Sequence, residues 1–157
     1  MQHVASGTLT LISEADRQVG VPMLVLDRVS GEVRRRLDLD AGNILLHPTR
    51  PILYLSFFRR GAAVLAYDLS ELRVVARYPT TLRLDRMTVD EAANELLVCD
   101  PVHSRVLRLD ADSFAPKGAY PALFGVRALA IDEGRRLVLT GRLATGEVAA
   151  VGLVAER

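Results

Sequence analysis

The feature that most constrains the fold of this chain is an internal repeat, with a period of about 42 residues that is typical of architectures stacking one small antiparallel sheet per repeat. Asp27, Asp68 and Asp110 each close an apolar run, and they are almost evenly spaced along the chain. A second series agrees, because the polar segments that begin at His47, Asp90 and Asp132 each precede an apolar run and recur at nearly the same interval.

Short apolar runs between turn residues predict strands along the whole chain. We expect the 157 residues to form one domain with four repeat units, at about 1–40, 43–80, 86–121 and 127–157. The predicted strands are 8–13, 22–27 and 32–39; 43–47, 52–57, 63–68 and 73–79; 86–90, 96–100, 105–110 and 116–121; and 127–132, 136–141 and 146–154. The predicted fold class is therefore all-β, with consecutive four-stranded antiparallel blades that form a β-propeller or a partial propeller.

One segment also fits a helix. The apolar residues within 89–97 match one face of a helical period. The equivalent segment of the preceding unit contains Pro48 and Pro51, which the interior of a helix does not tolerate. The repeat therefore favours strand, turn and strand here.

The predicted strands make about three and a half blades, whereas propellers usually close with four to eight. An open arc exposes sheet edges and apolar blade faces. Three solutions stay open: the chain closes a ring with another copy or a partner chain, its first and last partial units share a blade, or it is part of a longer propeller. The predicted lack of a first strand at the start and of an outer strand at the end favours self-association or a protein partner.

Composition excludes several classes of protein. Half of the residues are hydrophobic and a quarter are charged, which is typical of a folded soluble domain. The net charge of +1 gives no electrostatic case for nucleic acid or for an anionic membrane. No apolar run of about 18 residues and no leader pattern occur, so we expect a cytoplasmic protein, unless the chain is an excerpt of a longer one. Cys99 lies in an apolar run and is expected to be a buried, inert thiol.

Two repeat families resemble parts of this pattern. The segments 26–33 and 67–75 look like the Asp, short turn and Val-rich strand of YVTN-type propeller repeats, and 97–110 is similar to the NHL-type repeat. The last unit departs from the pattern, with Gly141 in place of the turn Asp and Gly152 where the closing Asp would stand. The resemblance implies a non-catalytic platform for protein interactions, with no cofactor.

In propellers, ligands meet the loops between second and third strands and the loops that lead into first strands. The Arg side chains in these loops suit carboxylates and phosphates, so a polar or anionic ligand is one hypothesis. The candidate ligand-binding residues are Arg59, Arg60, Asp100, His103, Arg105 and Arg127. The alternative is that they are solvated loop residues, with Arg105 tied to the turn at Asp100.

An enzyme is the rival interpretation. Gluconolactonase-type propeller hydrolases hold a divalent cation with oxygen ligands from several blades, and the resemblance would assign Glu14, Asp100 and His103 to such a site. The fourth unit offers only Gly141 and Arg142 at the equivalent turn. No nucleophile elbow or phosphate-binding loop occurs either. We therefore assign no catalytic and no metal-binding residue, and we prefer a binding and assembly module.

Overall fold

The computed structural model describes residues 2–6, 9–13, 23–27, 29–37, 41–57, 63–80 and 84–153. These residues contain fifteen strands: β1 (Gln2–Ser6), β2 (Leu9–Ser13), β3 (Met23–Asp27), β4 (Val33–Leu37), β5 (Ala41–Leu46), β6 (Ile52–Phe57), β7 (Ala63–Asp68), β8 (Arg73–Pro79), β9 (Met87–Asp90), β10 (Glu95–Asp100), β11 (Arg105–Asp110), β12 (Pro116–Pro121), β13 (Ala128–Asp132), β14 (Leu137–Arg142) and β15 (Glu147–Gly152). Within the same residues, no helix is long and apolar enough to cross a membrane.

The strands form four antiparallel sheets, which we refer to as blades 1 to 4. Blades 1, 2 and 3 contain β1–β4, β5–β8 and β9–β12 in chain order, and blade 4 contains β13–β15. The first strands of successive blades are neighbours, with β1 beside β5, β5 beside β9 and β9 beside β13. Sheets that stack in chain order through their first strands form a propeller-like fold, as the repeat predicted.

Most predicted strands are confirmed, and one prediction about the blades is wrong. The strands β6, β7, β8, β11 and β12 have the predicted bounds. The predicted lack of a first strand in the first unit is wrong, because β1 pairs with β2 in the register Val4↔Leu11. Blade 1 is therefore complete, and the described residues form three four-stranded blades and a three-stranded one rather than three and a half blades.

The repeated Asp residues build the corner between the third and fourth strands of blades 1, 2 and 3. Oδ1 of Asp27, Asp68 and Asp110 accepts hydrogen bonds from the backbone N–H groups two and three residues later, at 2.7–3.2 Å. A side-chain acceptor of this kind fixes a tight turn. After the corner, the chain continues as the fourth strand, which explains why an Asp recurs in each of the first three repeats.

The same corner contains a left-handed residue in each complete blade. Gly31, Leu72 and Phe114 have φ angles of 72°, 53° and 61° and lie at the repeat spacing. Glycine adopts this conformation readily, whereas Leu and Phe do so at a cost of about 1 kcal/mol or more. Phe114 is buried, so packing against the core offsets that cost.

The hydrophobic cores lie between the blades. Val25 of blade 1 packs with Leu53 and Leu65 of blade 2. A second core joins blade 2 to blade 3 and includes Tyr54, Val64, Val98 and Leu107. A third core joins blade 3 to blade 4 and includes Leu97, Val106, Tyr120 and Val138. Each blade thus depends on its neighbours for burial, as in other repeat proteins.

Cys99 lies in the buried strand β10 and is fully shielded from solvent. Burial raises the pKa of its thiol to about 12, since the thiolate would lose its hydration. The prediction that this thiol is buried is confirmed, and a raised thiol pKa is typical of a structural rather than a reactive cysteine.

Polar contacts between turns also join the blades. Arg136, in the turn before β14, donates from Nη1 and Nη2 to the two carboxylate oxygens of Asp90 in blade 3, at 3.0 and 2.7 Å. Arg50, in the turn before β6, bonds to Asn94 and Asp112 of blade 3. These contacts link residues 44 to 62 positions apart and fix how one blade sits on the next.

Candidate functional site

The central residue of the candidate site is Asp100, the last residue of β10. It is buried and lies opposite Arg105 in the β10–β11 pairing. Its Oδ2 accepts hydrogen bonds from Arg105 Nε and His103 Nδ1, both at 2.9 Å, and its Oδ1 accepts one from the backbone N–H of His103 at 3.2 Å. The short turn between β10 and β11 is therefore built around one carboxylate.

The carboxylate of Asp100 is ionised. Burial opposes its charge, but the hydrogen bonds from Arg105 and His103 outweigh that effect and hold the pKa of Asp100 below its usual value. An ionised carboxylate only accepts hydrogen bonds, so Nδ1 of His103 carries the proton in this contact.

The outer parts of His103 and Arg105 are accessible, with side chains 48% and 43% exposed. Among the described residues, Nε2 of His103 and the terminal nitrogens of Arg105 have no hydrogen-bond partner. Asp100 thus orients a ring nitrogen and a guanidinium group side by side. Such a pair suits a carboxylate or phosphate oxygen, since both groups hydrogen-bond to anions when His is protonated.

Arg127 belongs to a second polar group at the same end of the blades. Asn43, Asp85 and Arg127 occupy equivalent positions, one repeat apart, at or before the first strands of blades 2, 3 and 4. Asn43 Nδ2 donates to Asp85 Oδ1 at 3.4 Å, and Arg127 Nε lies 3.9 Å from Asp85 Oδ2. These side chains form a ladder from blade to blade.

Asn43 and Asp85 are not among the predicted ligand-binding residues, although Asp85 lies in a linker, 83–86, that leads into a first strand. The signal that would have found them is their spacing, because polar residues one repeat apart before first strands become neighbours in a propeller. This ladder lies near the Asp100 turn, because the backbone N–H of Asp85 donates a hydrogen bond to the carbonyl of Cys99, the residue before Asp100.

Several predicted residues lie outside the described residues, namely Arg59, Arg60 and Glu14. Of the others, Asp100, His103 and Arg105 come together in one turn, while Arg127 contacts Asp85. The alternative that ties Arg105 to the Asp100 turn agrees with its Nε contact, although its terminal nitrogens stay accessible.

No cluster of three or more His, Cys, Asp or Glu side chains with metal-binding geometry occurs in the part of the chain that the structure describes. Asp100 shares Oδ2 between two donors, and Arg142 of blade 4 pairs with Glu147 at 2.9 Å. Among the described residues, Asp100 therefore belongs to a hydrogen-bonded turn and to no cluster of metal-binding side chains.

Comparison with known proteins gives the fold. No family model matches the chain, and no curated protein matches its sequence. The computationally designed protein Ika8 is similar in structure, with a TM-score of 0.72 and 11% identity over 96% of this chain and 45% of that one. BamB from Moraxella catarrhalis, a β-propeller protein, has a TM-score of 0.71 and 11% identity over 94% of this chain and 41% of its own. The chain thus spans less than half the length of both structures.

Proposed function

We propose that this chain is a non-catalytic binding and assembly module of propeller blades, which closes a ring with itself or with a partner chain. The observation that carries the proposal is Val148 in β15. Its equivalents in blades 2 and 3, Val64 and Val106, are 0% exposed, whereas Val148 is 73% exposed.

Val148 is exposed for two reasons. In blades 2 and 3, a fourth-strand Tyr lies across from the equivalent Val, in the pairs Val64↔Tyr78 and Val106↔Tyr120. A following blade then covers that face. The described part of blade 4 has neither a fourth strand nor a following blade.

The uncovered face contains more than one apolar residue. Leu139 of β14 pairs with Ala150 of β15, and both alternate in phase with Val148 along their strands. Ala150 and Val148 are exposed, and Leu139 is half-buried. A contiguous apolar face of this kind marks a site of association.

At finer detail, we propose that the repeats are of the YVTN and NHL type and that the loop end binds a polar or anionic ligand. Support comes from the oriented pair of His103 and Arg105 on Asp100. Arg59, Arg60 and Arg127 extend the proposed ligand surface. The rival metal-dependent lactonase has no specific observation in its favour. The partial coverage of Ika8 and BamB supports the alternative that the chain is part of a longer propeller.

The test is the solution mass, measured by light scattering over a range of concentrations. The proposal predicts a mass above the 17.2 kDa of one chain, which falls toward that value on dilution. A stable single chain at every concentration, with no added partner, would overturn self-closure.

A further inference from the structure

We infer that the bare face of blade 4 docks the first blade of a second copy of this chain, so that two copies close one ring. This inference rests on the proposed function and names its partner. It follows from the two end faces of the arc and from the way in which blades already pack within the chain.

Each strand presents alternate residues to the preceding and to the following blade. In β7, Val64 and Ala66 pack toward blade 3, whereas Leu65 and Tyr67 pack toward blade 1. Every junction within the chain therefore joins the forward face of one blade to the backward face of the next, where forward means toward the higher-numbered blade.

The same alternation identifies the two free faces. In β3, Val25 packs toward blade 2, so Leu24 and Leu26 belong to the backward face of blade 1. In β15, Val151 packs toward blade 3, so Val148 and Ala150 belong to the forward face of blade 4. Among the described residues, no blade covers the forward face of blade 4 or the backward face of blade 1.

Both free faces are apolar at these positions. Leu24 and Leu26 are half-buried and Val148 is largely exposed. The exposed Arg36 lies opposite Leu24 on the fourth strand of blade 1, so the apolar part of the backward face is formed by the third strand. Joining the two faces repeats the type of junction that already buries Val64 and Val106.

The share of a whole propeller that the chain covers indicates how many copies fit in one ring. The chain overlays on 45% of Ika8 and 41% of BamB, so a second arc of the same curvature spans most of the rest of such a ring. A head-to-tail junction closes when the rotation between copies completes a circle, and two copies related by a twofold axis then make two identical junctions.

A second copy fits the exposed surface better than a single extended segment does. A lone strand would pair with the open edge of β15 through its backbone. It would lie beside Val148 but would not cover Leu139, which lies on the face of the neighbouring strand β14. A sheet that packs on the face, as blades do within the chain, covers both residues.

The experiment is sedimentation equilibrium on the full chain and on single Arg variants. Val148→Arg alters the forward face and Leu24→Arg the backward face; Val29→Arg is the matched control, because Val29 is 89% exposed in the corner turn of blade 1. We expect each face variant to associate at least about 100-fold more weakly than the parent, since docking would bury an unpaired charge. Val29→Arg should associate like the parent.

An equimolar mixture of Val148→Arg and Leu24→Arg tests the head-to-tail geometry and also guards against misfolded variants. The mixture contains one intact forward face and one intact backward face, so it should regain a two-chain species. If the parent associates and both face variants associate equally well, or if the mixture stays single-chain, the second-copy inference is overturned. The proposal that the chain is an assembly module would then still stand. A parent that never associates would overturn the proposed self-closure itself.

Discussion

Asp90 shows how one residue holds two blades together. Asp90 is 2% exposed at the end of β9, and its carboxylate accepts hydrogen bonds from both terminal nitrogens of Arg136 in blade 4. Burial opposes the charge, but the bonds from Arg136 outweigh it and keep the pKa of Asp90 below its usual value. Two parallel bonds to a guanidinium also fix the orientation of the turn.

Removing Arg136 should destabilise the fold. Arg136→Ala leaves the Asp90 carboxylate buried without a counter-ion, so we expect the free energy of unfolding to fall by about 2–4 kcal/mol in urea denaturation. The control is Arg135→Ala, whose side chain is 81% exposed and lies 3.7 Å from Asp132. That variant should change stability by less than about 0.5 kcal/mol. Equal effects of the two variants would contradict this role for Asp90.

The pair also predicts a pH dependence. A carboxyl whose folded pKa is depressed contributes stability above its unfolded pKa of about 4, and this contribution is lost as the pH falls through the folded value. Without Arg136, the buried carboxylate is penalised when ionised, and protonation relieves that penalty. The difference in unfolding free energy between parent and Arg136→Ala should therefore begin to narrow above a pH of about 4, where the carboxyl of the variant protonates, and narrow further below it, where the parent loses its ion pair. A difference that is constant with pH would show that Asp90 does not mediate the effect.

At the scale of the element, an Asp side chain fixes the corner between the third and fourth strands of blades 1 to 3. Asp110 accepts two backbone N–H groups in the corner of blade 3, whereas the equivalent residue in blade 4 is Gly152. Leu153 still donates to the carbonyl of Arg136, as Ala111 does to that of Asn94, so the two blades follow one plan up to this point. Blade 4 then lacks the acceptor that fixes the corner elsewhere.

This corner can be tested in blade 3. Asp110→Ala should lower the free energy of unfolding by about 1–2 kcal/mol, because two N–H groups lose their acceptor. Asp110→Asn keeps an oxygen at Oδ1 and should lose less than half as much. If Asn is as costly as Ala in the same denaturation experiment, the charge facing Lys117 at 3.6 Å matters rather than the turn.

Sequence reasoning found most elements because each one leaves a local signal. The Asp corners and the apolar alternation fixed the strands from β5 to β14 closely. Strand β1 was missed because His3 and Ser6 weaken the alternation over residues 2–6 and no corner precedes it. Its pairing with β2 comes from tertiary context.

The candidate site was predicted less completely for a related reason. The turn from Asp100 to Arg105 is local, so its residue types revealed it. The contacts of Asn43 with Asp85 and of Arg136 with Asp90 join residues 42 and 46 positions apart on different blades. They depend on how blades stack, which no single segment of sequence encodes.

At the scale of the whole molecule, stability comes from junctions rather than from separate blades. Three cores lie between the four blades that the structure describes. Each of these junctions buries the apolar face of one blade against the next, as in other repeat proteins. Under the proposed assembly, the same kind of junction would join one chain to another.

The most direct measurement is chemical crosslinking between the two end faces. Leu24→Cys and Val148→Cys variants would be treated with a short bismaleimide, alone and mixed, and the products analysed by mass spectrometry. The native chain is a clean background, because Cys99 is buried and its thiol has a pKa raised to about 12. If two chains assemble head to tail, we expect a two-chain product that joins residues 24 and 148 in the mixture. Either variant alone should give little crosslinked product. Crosslinks from 148 to 148, or none in a mixture that is shown to associate, would contradict it.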